Sequence, residues 1–407
     1  MIRVAITGMG LVSPFGAGRS AALESLRAGR SGIRAIQSID ASALSCRIAG
    51  EVPAASLISA GSRKFDRFTR FALLAAEEAA EQADLTPDSV DGTRLGSIIG
   101  TGLGGCETLD AGYKRVYQEG QSRLPPTVIA WSMYNAAASA VATRFGAKGP
   151  AYAPVSACAS SAHAIGQAWQ TIRSGAADVI LAGGADAPLT YGILRAWESM
   201  RVLAIDNEKP EAACRPFSAD RKGLVLAEGA AVLVLESFEH ATGRGARILG
   251  EICGFGITSD AGHVTDPSSD GAARAMTMAL ESAVLSPADI GYINAHGTAT
   301  RANDAAETAA IHGAFGSAAG SVAVSSTKSR HGHAMGASGA IEMVCSLLAL
   351  NEGFLPPTIN LQRPDPECDL DYVPNTSRQA VVSHLLSNSF GFGGMNGVIA
   401  VRTIHGL

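Results

Sequence analysis

The 407-residue chain has no pair of cysteines at C-x-x-C spacing, no apolar run of about 18 residues and no long block of like charge. Each absence excludes a class. The cysteines, Cys46, Cys106, Cys158, Cys214, Cys253, Cys345 and Cys368, are scattered, which argues against a zinc site and against a disulfide framework and points to a reducing, cytoplasmic setting. Without a long apolar run there is no candidate membrane span. The opening residues, MIRVAITGMGLVSPFG, enter a strand at once and lack the apolar core of a signal peptide. With 32 basic and 37 acidic residues the formal charge is −5, so neither nucleic-acid binding nor polybasic membrane attachment is indicated, and a docking surface for a charged partner has to be local. The segment GMGLVS at 8–13 lacks the full dinucleotide fingerprint, so hydride transfer is not indicated either.

What is present is a 47% hydrophobic chain, long enough for two domains or one duplicated unit. Short apolar runs at 3–7, 95–100, 178–183, 230–236, 290–295, 321–326 and 396–402 read as strands. Helical periodicity is expected over 65–83, 157–173, 304–314 and 336–351. The alternation predicts an α/β architecture with mainly parallel sheets. No composition break marks a linker, yet a weak repeat is visible. GTGLGG, VSACASSAHAIGQAWQTIRSG and DVILAGGAD follow one another in the first half, as NAHGTAT, VSSTKSRHGHAMGASGAIEMVCSLLALNEG and LLSNSFGFGG do in the second. This divides the chain into halves at 1–245 and 246–407, packed face to face.

Six of the cysteines read as small core residues. Cys158 differs, because it stands where a strand-like stretch gives way to the helix ACASSAHAIGQAWQTIR. Unpaired N–H groups and the positive dipole end there favour a thiolate, and the same N–H groups can hold an oxyanion. Two further segments supply partners. NAHGTATRANDAAE carries His296, Thr298, Thr300, Asp304 and Glu307, and STKSRHGHAMGASGA carries Lys328, His331 and His333. Each histidine alone is more often structural, but the clustering of Gly, Thr and charge at two strand ends points to one shared site. Metal ligation is the competing reading of a histidine pair. It is disfavoured because His296 and His333 lie far apart in sequence, with no carboxylate or thiol at helical ligand spacing.

From VAITGMGLVSPFG through SACASSAH, RPFSADRKGLVLAEGAAVLVLE, AHGTATRANDAAE and SSTKSRHGHAMGASGA to SNSFGFGGMNG, the whole chain resembles the β-ketoacyl-[acyl-carrier-protein] synthases, the elongating Cys-His-His ketosynthases of the type I/II branch of the thiolase superfamily. The resemblance implies a thiolase-like duplicated fold, a five-layered α-β-α-β-α sandwich with the nucleophile in the first half and both histidines in the second. It implies a decarboxylative Claisen condensation that extends an acyl chain by two carbons, in fatty-acid or polyketide-type biosynthesis. Cys158 would accept the acyl group, and His296 and His333 would hold the extender carbonyl oxygen. Lys328 would organise the site electrostatically together with Glu307. Phe392 would gate it and contribute its N–H, with that of Cys158, to an oxyanion hole. Thr298 and Thr300 would bind the phosphopantetheine arm, and Leu103 and Trp197 would shape the acyl pocket. Arg63, Lys64, Arg67, Arg123 and Arg201 would form a basic rim for an acidic acyl carrier protein. No metal and no cofactor is implied, since the carrier brings the phosphopantetheine arm. Acyl and malonyl thioesters are the substrates, and a homodimer is expected, or a heterodimer with a related subunit. A thiolase would need a second catalytic cysteine in a C-x-G motif, and the last cysteine, Cys368, sits instead in PDPECDLDY. A noncatalytic chain-length-factor subunit is the alternative from a different class, and Cys158, His296, Lys328 and His333 together weigh against it.

Overall fold

The computed structural model describes residues 2–57, 64–86 and 89–406. Among them one continuous sheet is built on ten strands: β1 (Val4–Ser13), β2 (Leu95–Gly100), β3 (Ala151–Tyr152), β4 (Val179–Asp186), β5 (Gly229–Ser237), β6 (Gly250–Ser259), β7 (Tyr292–Asn294), β8 (Ala323–Ser325), β9 (His384–Gly391) and β10 (Met395–Thr403). Their order is β8-β7-β9-β10-β6-β1-β5-β4-β2-β3, and a two-residue strand, Gly16–Ala17, adds to β1 alone. The seam is a short antiparallel pairing of Val4–Ile6 in β1 with Gly250–Ile252 in β6. Outward from it, each half lays down its first, fifth, fourth, second and third strand in that order. The repeat that is faint in the sequence is complete in the topology.

The expectation of mainly parallel sheets is corrected. The pairs β2–β3, β2–β4, β7–β8 and β7–β9 are parallel. The pairs β1–β5, β4–β5, β6–β10 and β9–β10 are antiparallel. A strand buried on both faces is apolar whichever way it runs, so its periodicity carries no direction, and β9 and β10 are joined by a tight hairpin rather than a crossover helix.

Of the helices among the described residues, seven bear on the site and the layers: α1 (Arg67–Gln82), α2 (Ala136–Phe145), α3 (Ser160–Arg173), α4 (Tyr191–Ser199), α5 (Ser269–Ala283), α6 (Arg301–Phe315) and α7 (Ser338–Asn351). Helices α3 and α7 lie between the halves and pack on strands of both, α1 and α2 cover the outer face of the first half, and α5, with α6 against it, covers that of the second. The result is the five-layered α-β-α-β-α arrangement. The outer contacts are made close by small residues. Asp66 caps α1 by accepting the Phe68 N–H at 3.2 Å, and the helix buries Phe68, Phe71, Ala72, Ala75, Ala76 and Ala79. A Cβ on Gly8 or Gly10 of β1 would come within 2.1 Å of the Ala79 carbonyl oxygen or 1.8 Å of that of Ala75. In the second half, Gly254 and Gly256 of β6 stand in the same way against Ala279 and Ala275 of α5, at 2.3 and 2.0 Å. The G-x-G at 8–10 is therefore a strand–helix contact, and it occurs twice.

Candidate active site

At the foot of α3 the chain turns through Ser156 and then Ala157, which takes φ 50°, into a short 3-10 turn, Ala157–Ala159, that carries Cys158. A positive φ on a residue with a Cβ is strained and stays only where the surroundings hold it. The second half repeats the turn before α7. Met335 also has φ 50°, and Gly336 stands where the first half has the thiol. Gly336 donates its N–H at 2.7 Å to Asp186 at the end of β4.

Cys158 is buried, and its Sγ lies 3.0 Å from His333 Nε2. The Phe392 N–H, in the hairpin between β9 and β10, also faces the thiol. Burial pushes the thiol up to about 12, while the nearby Lys328 charge and the Phe392 N–H pull the other way. Against the helix-start thiolate expected from the sequence, burial favours the neutral thiol. His333 is held well below the ordinary histidine range by burial and by the Lys328 charge. It is therefore neutral, and its Nδ1 meets Ser338 Oγ at 2.8 Å. A hydroxyl both donates and accepts, so Ser338 supports either ring tautomer.

His296 follows β7. The Glu307 carboxylate of α6 accepts the N–H groups of His296 and Gly297 at 2.8 and 2.7 Å, and Asn388 donates to it at 3.1 Å. Lys328 Nζ donates to the His296 carbonyl at 2.5 Å and lies 3.5 Å from its Nδ1. Burial first, then the Lys328 charge, hold His296 well below its ordinary range. A cation facing Nδ1 leaves the ring proton on Nε2, the nitrogen free to donate to a ligand. The two imidazole rings stand edge to face with centroids 5.5 Å apart, and Phe390 packs on His296 at 5.8 Å.

Lys328 and Glu307, expected to organise the site electrostatically together, form no ion pair among the described residues. The carboxylate on the ammonium is Glu342 of α7, at 2.5 Å, with both groups fully buried. Burial lifts Glu342 to about 7 against the pull of Lys328. Sequence reasoning missed it because α7 reads as a core helix, though Glu342 is the one charge in the run GASGAIEMVCSLLAL. Asp186 was missed for a similar reason. It is buried at a strand end, where it accepts Thr101 Oγ1 at 2.7 Å and the N–H groups of Gly102 and Leu103 at 2.8 and 3.0 Å.

Cys158, His296 and His333 open into a cleft whose walls include Trp197, Thr298, Thr300, Glu307, Phe390 and Phe392. The Trp197 ring, on α4, stacks on Phe392 with centroids 5.7 Å apart. Thr298 and Thr300 join hydroxyls at 2.9 Å, and Thr300 also caps α6. Leu103 lies beside this cleft, in an apolar cluster with Trp197, Phe392 and Met335. Glu307 reaches the cleft wall, but both its oxygens are taken by backbone and amide N–H groups, so it shapes the His296 turn rather than meeting a ligand. The thiol and imidazole donors of Cys158, His296 and His333 lie within 4.8 Å of one another and could hold a borderline divalent cation. The adjacent Lys328 ammonium opposes a second positive charge there.

The expected basic rim is brought together only in part. Arg63 lies outside the described residues. Arg67 is corrected: its guanidinium pairs with buried Glu228 at 2.5 Å and faces the Phe71 ring, so it is a structural ion pair. Lys64, Arg123 and Arg201 are exposed, and Arg201 adjoins Val202 on the cleft wall.

The family model for the β-ketoacyl synthase N-terminal domain matches residues 1–241, and that for the C-terminal domain matches 249–362. The chain is 44% identical over 405 residues to Nodulation protein E of Rhizobium sp. (strain N33), covering 99% of each. It is 43% identical over 406 residues to 3-oxoacyl-[acyl-carrier-protein] synthase 2 of Synechocystis sp., covering 98% of each. It superposes with TM-score 0.92 and 35% identity, over 99% of both chains, on a solved type II PKS acyl-carrier protein in complex with its ketosynthase bound to the hexaketide. The ishigamide ketosynthase/chain length factor gives TM-score 0.93 and 34% identity, also over 99% of both chains. Matched in both domains and along the full length of these relatives, the chain belongs to the β-ketoacyl synthase family.

Proposed function

We propose that Cys158 is the acyl-accepting nucleophile of this synthase and that His333 exchanges its proton. The observation that carries the reading is the 3.0 Å contact between a buried thiol and the Nε2 of a neutral imidazole. The overall reaction is that of the family: the chain is a condensing acyltransferase of the β-ketoacyl-[acyl-carrier-protein] synthase type.

In the first half-reaction His333 Nε2 takes the thiol proton as Sγ adds to the thioester carbonyl. The Cys158 and Phe392 N–H groups hold the resulting oxyanion, and the departing carrier thiolate leaves with the proton from His333. In the second, the malonyl thioester oxygen sits between the Nε2–H groups of His296 and His333. The carboxylate leaves as carbon dioxide, its bonding pair forms the enolate, and the enolate carbon attacks the acyl carbon. Cys158 is expelled as a thiolate and takes up one proton from solvent, the proton that decarboxylative condensation consumes overall. His333 must accept in one step and donate in the next, which the Ser338 hydroxyl permits. Burial first, and then the Lys328 charge, balanced by Glu342, keep both imidazoles neutral.

Thr298 and Thr300 line the path of the phosphopantetheine arm, and Leu103, Trp197 and Phe392 bound the acyl pocket. The partner is an acyl carrier protein, met by Lys64, Arg123 and Arg201. The division at 245/246 is supported by the matching strand order of the halves. A homodimer is supported by β3, a sheet-edge strand with Tyr152 exposed, and by exposed Met133 and Tyr134 beside Asn135, which lines one hollow with Tyr152. Cytoplasmic location fits seven free cysteines, and no helix among the described residues is long and apolar enough to cross a membrane. The test is intact-mass analysis after exposure to acyl carriers of graded length, with carbon dioxide release from malonyl-carrier measured separately. A mass shift that survives Cys158→Ala would sink the assignment.

A further inference from the structure

His163, on α3, is buried and takes no part in the chemistry above, yet both its ring nitrogens are engaged. Nε2 lies 3.2 Å from the Asn396 carbonyl oxygen, and Nδ1 lies 2.6 Å from Ser156 Oγ. A carbonyl only accepts, so Nε2 carries the proton, Nδ1 is bare, and the Ser156 hydroxyl donates to it. One tautomer therefore satisfies both ends, and burial, which holds His163 below the ordinary histidine range, keeps it neutral.

The two ends are anchored on the two segments that carry the proposed oxyanion donors. Ser156 precedes the strained Ala157 and the N–H of Cys158, and its own N–H donates to Ser160 Oγ at 2.9 Å. Asn396 is the register partner of Phe390 in the β9–β10 hairpin, whose turn carries Phe392. These segments touch where side chains are missing. A Cβ on Gly391 would fall 2.8 Å from the Ser156 carbonyl oxygen and 3.2 Å from the Cys158 nitrogen, and one on Gly397 would fall 2.9 Å from the His163 ring. The hairpin and the cysteine turn are thus pressed together by glycines and tied by one imidazole.

We infer that His163 is a positioning residue that sets the spacing between the Cys158 and Phe392 N–H groups by joining the cysteine turn to the hairpin. The inference rests on the proposed two-donor oxyanion hole, and it assigns His163 to the acyl-transfer half-reaction alone. The extender oxygen is held by His296 and His333, which His163 does not touch.

The experiment separates the half-reactions in the full-length protein. His163→Phe keeps a ring against Phe255 but removes both hydrogen bonds, and Ser156→Ala removes one with little change of volume. Acyl transfer from a small acyl thioester to Cys158, followed by intact mass, should slow about 10- to 100-fold in His163→Phe, the scale of a sub-ångström to ångström misplacement. Ser156→Ala should slow it in the same direction, and the double variant should lose no more than His163→Phe alone, because both act through one link. Carbon dioxide release from malonyl thioester, measured in a Cys158→Gln background, should be unchanged by either. Equal loss in both half-reactions, additive losses, or wild-type acylation in both variants overturns the inference. Should His163→Phe fail to fold, Ser156→Ala decides alone by the same split. Absence of acylation in the unsubstituted protein would refute the parent reading of Cys158 instead.

Discussion

Burial favours the neutral thiol of Cys158, so the proposed nucleophile has to lose a proton to react, and His333 is the proposed base in contact with it. His333 and His296, paired in the sequence reading as holders of one oxygen, are therefore unequal. His333→Ala should slow acylation of Cys158 about 100-fold or more, the lower range for a lost general base. It should also reduce carbon dioxide release from malonyl-carrier about 100- to 1,000-fold, as for a lost oxyanion donor. His296→Ala should spare acylation and lose only decarboxylation. Intact mass and carbon dioxide release, measured separately, check both, and a His333→Ala protein acylated at the normal rate would make the contact incidental. Asp186 offers a second test. Burial raises it from 3.8 to about 6 despite its four donors. Between those values the native state keeps a proton that the unfolded chain has released, so this group makes stability fall as pH rises from about 4 to 6. Denaturation midpoints across that window should show a shallower decline in Asp186→Asn, whatever its absolute stability. An unchanged slope would mean that Asp186 titrates as it does in the unfolded chain.

At the scale of elements, the G-x-G of β1 and that of β6 let a strand backbone approach helix carbonyls closely, and the alanines of α1 and α5 complete the contact. Gly10→Ala places a methyl against the Ala75 carbonyl and should cost about 3 kcal/mol or more, the upper range for overpacking. Gly243→Ala, at the end of the short helix Phe238–Gly243 with open space around it, should be neutral or add up to about 1 kcal/mol. Chemical denaturation of the two variants reads the contrast directly. The spacing of small residues was plain in the sequence, but the nearest motif was a failed dinucleotide fingerprint, because a G-x-G does not say whether a phosphate or a helix approaches it.

For the whole molecule, a net charge of −5 leaves carrier recognition to local cations. With Arg67 withdrawn into its ion pair, Lys64, Arg123 and Arg201 are the exposed candidates, and the two arginines are tested together. Reversing both to Glu should weaken turnover of carrier-bound substrate and spare a small thioester surrogate, and the gap from the unsubstituted protein should narrow as salt rises. Equal loss with both substrates would indicate damage to the cleft rather than to docking.

The sequence alone determined the fold class, and it put forward Cys158 as nucleophile, both histidines and the duplication, because each rests on local signals: apolar periodicity, a lone cysteine at a helix start, and ordered motifs along the chain. Helix ends at 67–82 and 160–173 lie close to the expected 65–83 and 157–173 for the same reason. Strand direction, the Glu342 partner of Lys328, the ion pair that removes Arg67 from the surface and the tie made by His163 were decided by tertiary structure. Each depends on groups tens to hundreds of residues apart that burial forces to satisfy one another. A buried charge or imidazole must find a partner, and only the packed chain specifies which one.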